Sequence, residues 1–304
     1  MMMRYTLQQL RYFVAVAKYK NVTLASQKLF VSQPAISNAI NKLEQTFDTQ
    51  LMIRHHARGI SLTGAGKQLV TEAKSLLAHA EELQGNARGQ GNILSGSLNV
   101  GCFISMAPIV MPSLINQFNE NHPLVEFKIS SNDVKSLQSK LLAGDIEMAI
   151  SYDLNLSDQL ERKEIWRSKP YVLVSMENPL AKQKDISILQ LKDKPMILFE
   201  RPFSSDYFQS IHSSFGFMPN IRYRVDSFEL VRSLVGSNLG YSILNQQPKT
   251  EECYNGTRLA YLPINDTTHY LSIVMIKIKG IQLTNKASAF WDFCQIELPK
   301  ILAR

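Results

Sequence analysis

Five polar side chains lie on one face of a predicted helix near the N-terminus and could hydrogen-bond to nucleic-acid bases. This face lies opposite the apolar face of the helix, and its residues are Gln33, Ser37, Asn38, Asn41 and Lys42. Amide and hydroxyl groups pair with base edges in a major groove, and a lysine reaches phosphates. A solvated polar face is the alternative, which amphipathicity alone leaves open.

The helix that carries this face is the third of three predicted short helices. The first is indicated by apolar residues at helical spacing, which are Leu7, Leu10, Phe13, Val14 and Ala17. Thr23 is a candidate N-cap for the second helix and Ser32 for the third, in whose first turn Pro34 is tolerated. The apolar face of the third helix comprises Ala35, Ile36, Ala39, Ile40, Leu43 and Phe47. This order predicts a helix-turn-helix.

A basic β-hairpin is predicted directly after the third helix. Two short apolar segments, 51–53 and 60–63, flank a turn that contains Arg54, Arg58 and Gly59. Such a wing can lay its arginines along the phosphate backbone of DNA. We therefore expect a winged helix-turn-helix.

The positive charge of the chain is confined to its first quarter. Residues 1–70 contain nine Lys and Arg against two Asp and Glu, whereas residues 71–304 contain 24 of each. The net charge of +7 therefore belongs to the segment of the predicted helix-turn-helix. A polyanion is the natural partner for such a segment, although a solvated basic surface without a partner would have the same charge.

This segment resembles the DNA-binding domain of the LysR-type transcriptional regulators. The matching motifs are Leu10-Arg11-Tyr12-Phe13, Val14-Ala15-Val16-Ala17, Ala25 to Leu29, Val31-Ser32-Gln33-Pro34-Ala35-Ile36-Ser37, Leu43-Glu44 and Leu62-Thr63-Gly64-Ala65-Gly66. The resemblance implies a repressor or activator whose third helix docks in the major groove. The positions that it implies near the DNA are Ser32, Gln33, Pro34 and Ser37.

The third helix departs from the family at two positions. Many members carry arginines where this chain has Asn38 and Asn41, so base readout here is expected to depend on amides, which pair well with adenine. The full set of candidate DNA contacts is Thr23, Ser32, Gln33, Pro34, Ser37, Asn38, Asn41, Lys42, Arg54 and Arg58.

A long amphipathic helix is predicted from Gln68 to Gln84. Its apolar positions alternate by four and three residues, as in a coiled-coil seam, and they are Leu69, Ala73, Leu76, Ala80 and Leu83. Packing on its own domain is the alternative, but dimerisation along the seam would match two reading helices to a pseudo-palindromic site. The glycines that predict a flexible junction after it are Gly85, Gly89, Gly91 and Gly96.

The remaining two-thirds of the chain alternates predicted strands and helices, which favours a parallel sheet covered by helices. The predicted strands are 98–101, 125–129, 146–150, 171–174, 196–199, 221–225, 241–244 and 271–278. The predicted helices are 107–118, 134–142, 206–215 and 228–235. Two α/β lobes joined by a hinge would account for this length and order.

Hydroxyl groups occupy three predicted strand-to-helix junctions, where ligands bind in α/β folds. The serines concerned are Ser105, Ser204, Ser205 and Ser227. A plain helix N-cap would explain each of them equally well. The candidate apolar walls are Phe103, Met106, Phe199 and Phe203. Arg201 is a candidate partner for a carboxylate, with an exposed loop arginine as the alternative.

This part resembles, more loosely, the effector-binding domain of the same family, which is similar to periplasmic binding proteins. The matching motifs are Gly101 with Pro112, Pro123-Leu124-Val125, Leu142-Ala143-Gly144-Asp145, Asn178-Pro179-Leu180-Ala181 and Val235-Gly236-Ser237-Asn238-Leu239-Gly240. The resemblance implies a small-molecule inducer between the lobes, with a small organic anion among the candidates. The ligand positions predicted in this way are Phe103, Ile104, Ser105, Met106, Phe199, Arg201, Pro202, Phe203, Ser204, Ser205 and Ser227.

Catalytic, cofactor and metal signatures are absent from the sequence. It has no Walker loop, no H-E-x-x-H and no dinucleotide fingerprint, and Ser237 lies one place off a nucleophile elbow. His55 and His56 lack partners at metal-ligand spacing, so we interpret them as surface residues of the wing. We predict no enzyme, no cofactor and no metal.

The three cysteines do not form a disulfide framework or a zinc site. Cys102, Cys253 and Cys294 are odd in number and far apart. Burial in a reducing compartment is the first interpretation, and redox sensing by Cys102 is the alternative, which would require exposure and a lowered thiol pKa.

Two other binding functions fit the sequence less well than a transcription regulator does. A transport solute-binding protein would need a signal peptide and would not carry the basic N-terminal domain, and a packaging protein would have no use for the neutral two-lobed part. Without a signal peptide or a long apolar run, we expect a cytoplasmic protein without a membrane partner. The expected partners are double-stranded DNA, a small-molecule inducer, further copies of the chain in a homodimer or homotetramer, and RNA polymerase if it is an activator.

The predicted fold is α/β with three parts. Residues 1–65 form the winged helix-turn-helix, 66–94 the linker helix and hinge, and 95–304 a two-lobed effector-binding domain like a periplasmic binding protein. The predicted lobes comprise 95–167 with 269–304 for lobe I, and 168–268 for lobe II.

Overall fold

The computed structural model describes residues 4–55, 59–85 and 93–303. Several residues named above lie outside these ranges, and they are His56, Arg58, Gly89 and Gly91. No helix within the described ranges is long and apolar enough to cross a membrane.

Three helices at the N-terminus pack around a small apolar core. They are α1 (Leu7–Tyr19), α2 (Val22–Leu29) and α3 (Gln33–Phe47). A capping box begins α1, because Thr6 accepts a hydrogen bond from the Gln9 backbone and the Gln9 side chain accepts one from the Thr6 backbone. The core residues include Leu10, Phe13, Val16, Ala25, Ile36, Ile40 and Leu43. The predicted helix-turn-helix is confirmed.

The N-cap predicted for α2 is wrong by two residues. Asn21 has an extended backbone, and its side chain accepts a hydrogen bond from the Leu24 amide at 2.9 Å. Thr23 lies inside the first turn of α2 and is exposed. Asparagine is the stronger N-cap of the two, so the helix begins earlier than predicted. Ser32 caps α3 as expected.

The hairpin that follows is held against α3 by a half-buried polar contact. Its antiparallel strands are β1 (Met52–His55) and β2 (Gly59–Leu62). Glu44 on α3 accepts hydrogen bonds from the backbone amides of Leu51 at 2.8 Å and Met52 at 3.1 Å. The wing and the third helix are therefore fixed relative to each other.

The long helix α4 (Gly64–Gly85) connects this head to the rest of the chain. The strands that follow are β3 (Gly96–Phe103), β4 (Val125–Asn132), β5 (Met148–Tyr152), β6 (Leu160–Ser168), β7 (Tyr171–Ser175), β8 (Pro195–Phe199), β9 (Asn220–Val225), β10 (Ser242–Leu244), β11 (Leu259–Pro263) and β12 (Leu271–Ile278). The helices are α5 (Ala107–Asn121), α6 (Val134–Leu142), α7 (Ser204–Ser213), α8 (Phe228–Gly236) and α9 (Asn285–Leu302).

The first lobe is built on a five-stranded sheet of order β4-β3-β5-β12-β6. β3 pairs in parallel with β4 and β5, whereas β12 is antiparallel to β5 and β6. The sheet is therefore mixed and not parallel throughout as predicted. The reason is topological: β12 enters from the second lobe, at the edge of the sheet where β3 and β5 end, and so runs the opposite way.

Three elements have no counterpart in the sequence prediction, and they are β6, β11 and α9. β6 is an edge strand with charged residues at its centre, so its sequence lacks the apolar alternation expected of a strand. α9 contributes Phe290, Trp291 and Cys294 to the core of the first lobe.

The second lobe contains an antiparallel sheet of order β10-β7-β11 and a parallel pair, β8 with β9. The helices α7 and α8 pack against these strands. The chain passes between the lobes twice, between β6 and β7 and again between β11 and β12. Two segments of the chain therefore connect the lobes.

A buried histidine on α7 forms a hydrogen bond to the second lobe. The Nδ1 atom of His212 lies 3.1 Å from the Phe208 carbonyl oxygen, which can only accept, so Nδ1 carries the proton. The Nε2 atom therefore accepts a hydrogen bond from the Tyr241 hydroxyl at 2.8 Å. Burial lowers the pKa of His212, and the hydrogen bond to Phe208 opposes this only in part.

Acidification is expected to destabilise the second lobe. An unfolded histidine binds a proton below about pH 6.5, whereas the buried His212 resists protonation, so the free energy of unfolding falls as pH drops through that value. Thermal unfolding measured between about pH 8 and about pH 5 would show this loss. The variant His212→Gln should show a shallower decline, and an identical slope in both proteins would contradict the assignment.

Candidate nucleic-acid interface and inter-lobe cavity

The polar face of α3 is largely exposed, and most of its side chains form no hydrogen bonds within the described residues. Gln33, Pro34, Asn38, Asn41 and Lys42 are exposed, and Ser37 is half-buried. Within the described ranges, the side chains of Gln33, Asn38, Asn41 and Lys42 have no hydrogen-bond partner in the protein. The opposite face is buried in the core of the head. These amides can therefore pair with an external partner.

The wing carries positive charge that is exposed. Arg54 is exposed on β1, opposite Ile60 of β2, whereas Arg58 lies outside the described residues. His55 Nε2 lies 2.7 Å from the Ser61 hydroxyl. No group of three or more His, Cys, Asp or Glu side chains that could hold a metal ion occurs in the described part of the chain.

The predicted seam on α4 divides into two halves. In the first half, Ala73 is buried in the core of the head and Leu69 packs against that core. These two residues therefore stabilise the head. In the second half, Leu76 is 40% exposed and Leu83 is 71% exposed. The apolar stripe that could meet another helix is therefore confined to the C-terminal half of α4.

The side of α4 that faces the first lobe contacts the C-terminal end of α6. The Thr71 hydroxyl donates to the Leu142 carbonyl at 2.6 Å, and Lys74 Nζ donates to the Ala143 carbonyl at 2.7 Å. The same ammonium forms an ion pair with Asp145 at 2.6 Å. Gly144 has a positive φ of 65°, and a Cβ atom there would lie 3.4 Å from Thr71 Cα. Glycine therefore suits both the turn and the close approach of α4.

A second contact joins α4 to the N-terminal end of α9. Glu82 accepts hydrogen bonds from the Asn285 amide at 3.0 Å and from Lys286 Nζ at 3.2 Å. The two charged side chains are nearly buried, at 10% exposure for Glu82 and 7% for Lys286. A cleft of about 780 Å³ lies beside α4 and the first lobe. The linker helix thus places a cation at a helix C-terminus and an anion at a helix N-terminus, which the helix dipoles favour.

A small cavity lies where the two lobes meet, at the ends of the strands of both sheets. Its lining residues are Phe103, Ser105, Tyr152, Phe199, Ser204, Phe208, Phe228, Leu244, Asn245, Gln246 and Leu271. Its volume is about 10 Å³, which is room for about one water molecule. The lobes are therefore closed on each other in this structure.

Four of the predicted ligand positions line this cavity, and they are Phe103, Ser105, Phe199 and Ser204. The positions outside the lining are Ile104, Met106, Arg201, Pro202, Phe203, Ser205 and Ser227. Met106 is the N-cap residue of α5 and is buried in the core, and Ser227 caps α8 by accepting from the Leu230 amide at 3.4 Å. A ligand role for residues outside the lining stays a prediction.

Three polar residues of the lining were missed by the sequence reasoning. Asn245 and Gln246 directly follow the buried strand β10, and Tyr152 ends β5. The signal that could have found the first two is a pair of amides after a fully buried strand. Tyr152 Oη lies 3.5 Å from Gln246 Oε1, so this pair joins the lobes. Burial raises the pKa of Tyr152, which keeps its hydroxyl protonated.

The cysteines do not fit a redox sensor. Cys102, Cys253 and Cys294 are free and buried. Burial raises the pKa of the Cys102 and Cys294 thiols, which disfavours the reactive thiolate. The interpretation of these residues as core side chains is the one that fits their surroundings.

Two family models match the chain, one on each side of the linker helix. The model described as "Bacterial regulatory helix-turn-helix protein, lysR family" matches residues 7–67. The model described as "LysR substrate binding domain" matches residues 91–299. The first match contains α1 to β2, and the second contains both lobes.

Known proteins resemble the chain over most of its length. The crystal structure of HinK, a LysR family transcriptional regulator from Pseudomonas aeruginosa, is 33% identical with a TM-score of 0.65, covering 97% of this chain and 99% of its own. The transcriptional dual regulator GltC of Bacillus subtilis is 28% identical over 94% of this chain and 95% of its own. CysB of Haemophilus influenzae, an HTH-type transcriptional regulator, is 29% identical over 80% of this chain and 76% of its own.

Proposed function

Because the chain belongs to the LysR family of transcriptional regulators, we propose that it binds pseudo-palindromic promoter sites as an oligomer and responds to a small molecule between its lobes. It has the helix-turn-helix and effector-binding domains of that family. The observation that carries the proposal is the exposed polar face of α3, whose amides have no partner within the described residues.

The proposed roles of the head residues follow from their chemistry and position. Gln33, Asn38 and Asn41 read base edges from α3, with a preference for adenine. Lys42 and Arg54 bind phosphates, and Arg58 is expected to do so from the tip of the wing. The remaining candidates, which orient the head on the sugar-phosphate backbone, are Thr23, Ser32, Pro34 and Ser37.

Replacing Gln33 with alanine is expected to relax base preference. A good amide-to-base contact contributes about 1–3 kcal/mol of discrimination, so affinity for the specific site should fall by about tenfold to a hundredfold while affinity for random DNA is retained. Titrations of labelled operator and random duplexes with the full-length protein would measure both. An equal loss on the two duplexes would exclude base reading by Gln33.

Arg54→Ala is the matched comparison, because Arg54 is expected to contact phosphate and not a base. Its replacement should weaken binding to both duplexes alike and reduce the slope of log affinity against log salt concentration by about one. Retention of the wild-type salt slope would exclude the phosphate contact.

Oligomerisation is proposed along the C-terminal half of α4. The exposed side chains of Leu76 and Leu83 are one coiled-coil repeat apart, with Ala80 between them. Pairing of two such helices would relate the reading heads by a twofold axis, as a pseudo-palindromic site requires. We propose a homodimer as the unit, from which a homotetramer can be built.

The effector is proposed to bind at the inter-lobe cavity. Its binding is proposed to change DNA binding by changing the position of the first lobe, which is attached to α4. α6 follows β4, whose last residue Asn132 pairs with Phe103 of the cavity lining, and the C-terminal end of α6 accepts the hydrogen bonds of Thr71 and Lys74. The contacts of Lys74 and Glu82 lie about 12 Å apart along α4, so a rotation of the first lobe would carry the helix with it. An effector changes DNA binding only if it binds one arrangement of the lobes better than another.

The remaining features of the proposal follow from this role. A DNA regulator acts where the DNA is, so we propose a cytoplasmic location and no membrane partner. We propose no catalytic activity, since the family consists of regulators. RNA polymerase is a partner if the chain activates transcription.

Footprinting with and without an effector tests the proposed regulation. An unchanged footprint for every bound ligand would overturn it.

A further inference from the structure

The walls of the inter-lobe cavity carry no charge. No Lys, Arg, His, Asp or Glu is among its lining residues in the described part of the chain. Five of the lining side chains are aromatic, and four of these, Phe103, Tyr152, Phe199 and Phe208, are at most 4% exposed. An ion transferred into such surroundings loses its hydration without gaining a counter-charge, which is strongly unfavourable.

Asn245 places a hydrogen-bond acceptor in this apolar wall. The residue is 7% exposed, and its Nδ2 atom donates to the Ser168 carbonyl at 2.9 Å and to the Tyr207 hydroxyl at 3.2 Å. Because a carbonyl oxygen can only accept, the amide nitrogen must face Ser168, and this fixes the orientation of the side chain. The Oδ1 atom is then left buried without a partner in the described residues. A buried acceptor without a donor is unfavourable, and a donor on a bound molecule would satisfy it.

We propose, on the basis of the function proposed above, that the effector is an uncharged, mainly apolar small molecule that donates a hydrogen bond to Asn245 Oδ1. The aromatic rings enclose its apolar body. The hydroxyl groups of Ser105 and Ser204, which also line the cavity, can bind a second polar group. The small organic anion considered from the sequence is disfavoured, because its carboxylate would meet the acceptor Asn245 Oδ1.

The size of the cavity sets a condition on this binding. A volume of about 10 Å³ cannot hold a ring, so the lobes must part before the molecule enters. The effector therefore binds a more open arrangement than the one described here, and its binding shifts the population of lobe arrangements.

Matched single-ring probes test the proposal on the full-length protein by isothermal titration calorimetry. Phenol has a donor, anisole has the same ring without a donor, and benzoate has a negative charge. Phenol is expected to bind on the order of tenfold more tightly than anisole, and benzoate is expected not to bind at millimolar concentration. Tighter binding of benzoate than of phenol, equal binding of phenol and anisole, or no binding of any probe would overturn the proposed class.

The variant Asn245→Leu locates the contact. It is expected to remove the difference between phenol and anisole, and a retained difference would overturn the role of Asn245. If this variant does not fold, the comparison of the three probes on the wild-type protein still decides the class. Footprinting with each binding probe separates the two proposals: a benzoate-dependent footprint would retain the regulatory function and refute the class, and phenol binding without any footprint change would do the reverse.

Discussion

Replacing Gly66 with alanine is expected to abolish site-specific DNA binding. Gly66 lies in the first turn of α4 and is buried against the start of the wing. A Cβ atom there would lie 2.0 Å from the Leu51 carbonyl oxygen, which is a backbone atom that no side-chain rotation can move. The Leu51 carbonyl also accepts a hydrogen bond from the Thr63 amide at 3.0 Å and is held in place. The helix and the wing must therefore separate, at a cost of about 3 kcal/mol.

Gly64→Ala is the matched control two residues earlier in the same helix. A Cβ atom at Gly64 would have nothing within 4 Å, so the usual gain in helix propensity of up to about 1 kcal/mol applies. Thermal unfolding and operator titration of both variants give the measurement. The two substitutions are expected to change stability in opposite directions, and operator binding by Gly66→Ala at the wild-type level would show that α4 does not approach the Leu51 carbonyl this closely.

The DNA-reading head could be predicted from the sequence because its contacts are local. The apolar faces of α1 and α3 repeat at helical spacing, and the caps act within three residues of the helix start. The one error there, Thr23 for Asn21, arose because both residues can cap a helix and their separation is only two positions. The burial of Ala73 in the head corresponds to the alternative that the sequence left open, since a seam residue and a core residue share the same spacing.

The inter-lobe cavity could be predicted only in part because its residues meet through tertiary structure. Phe199 ends a predicted strand and Phe103 follows one by two residues, so both were found as candidate walls at strand-to-helix junctions. Asn245 indicates a hydrogen-bonding site for a ligand only because its Nδ2 atom donates to the Ser168 carbonyl, which leaves its oxygen free among the described residues. Ser168 is 77 residues away in the sequence. The direction of β12 likewise depends on the return of the chain from the second lobe, which no local pattern records.

Glu82→Ala is expected to have the largest effect on the coupling between effector binding and DNA binding. This change leaves the Lys286 ammonium nearly buried without its partner, and removing one member of such a pair costs about 3–5 kcal/mol. It also removes the acceptor of the Asn285 amide at the start of α9. We expect the C-terminal half of α4 to detach from the first lobe while the contacts of Thr71 and Lys74 remain, so that operator binding is retained but the effector-dependent change in the footprint is lost.

The neighbouring residue supplies the control for this prediction. Glu81 is exposed and has no hydrogen bond or ion pair within the described residues, so Glu81→Ala should preserve the effector response. The double variant Glu82→Leu, Lys286→Met removes both charges together and should restore much of the docking, because replacing a whole buried pair is often neutral. A lost response in Glu81→Ala, or a full response in Glu82→Ala, would mean that the lobes reach the DNA-reading heads by a route other than α4.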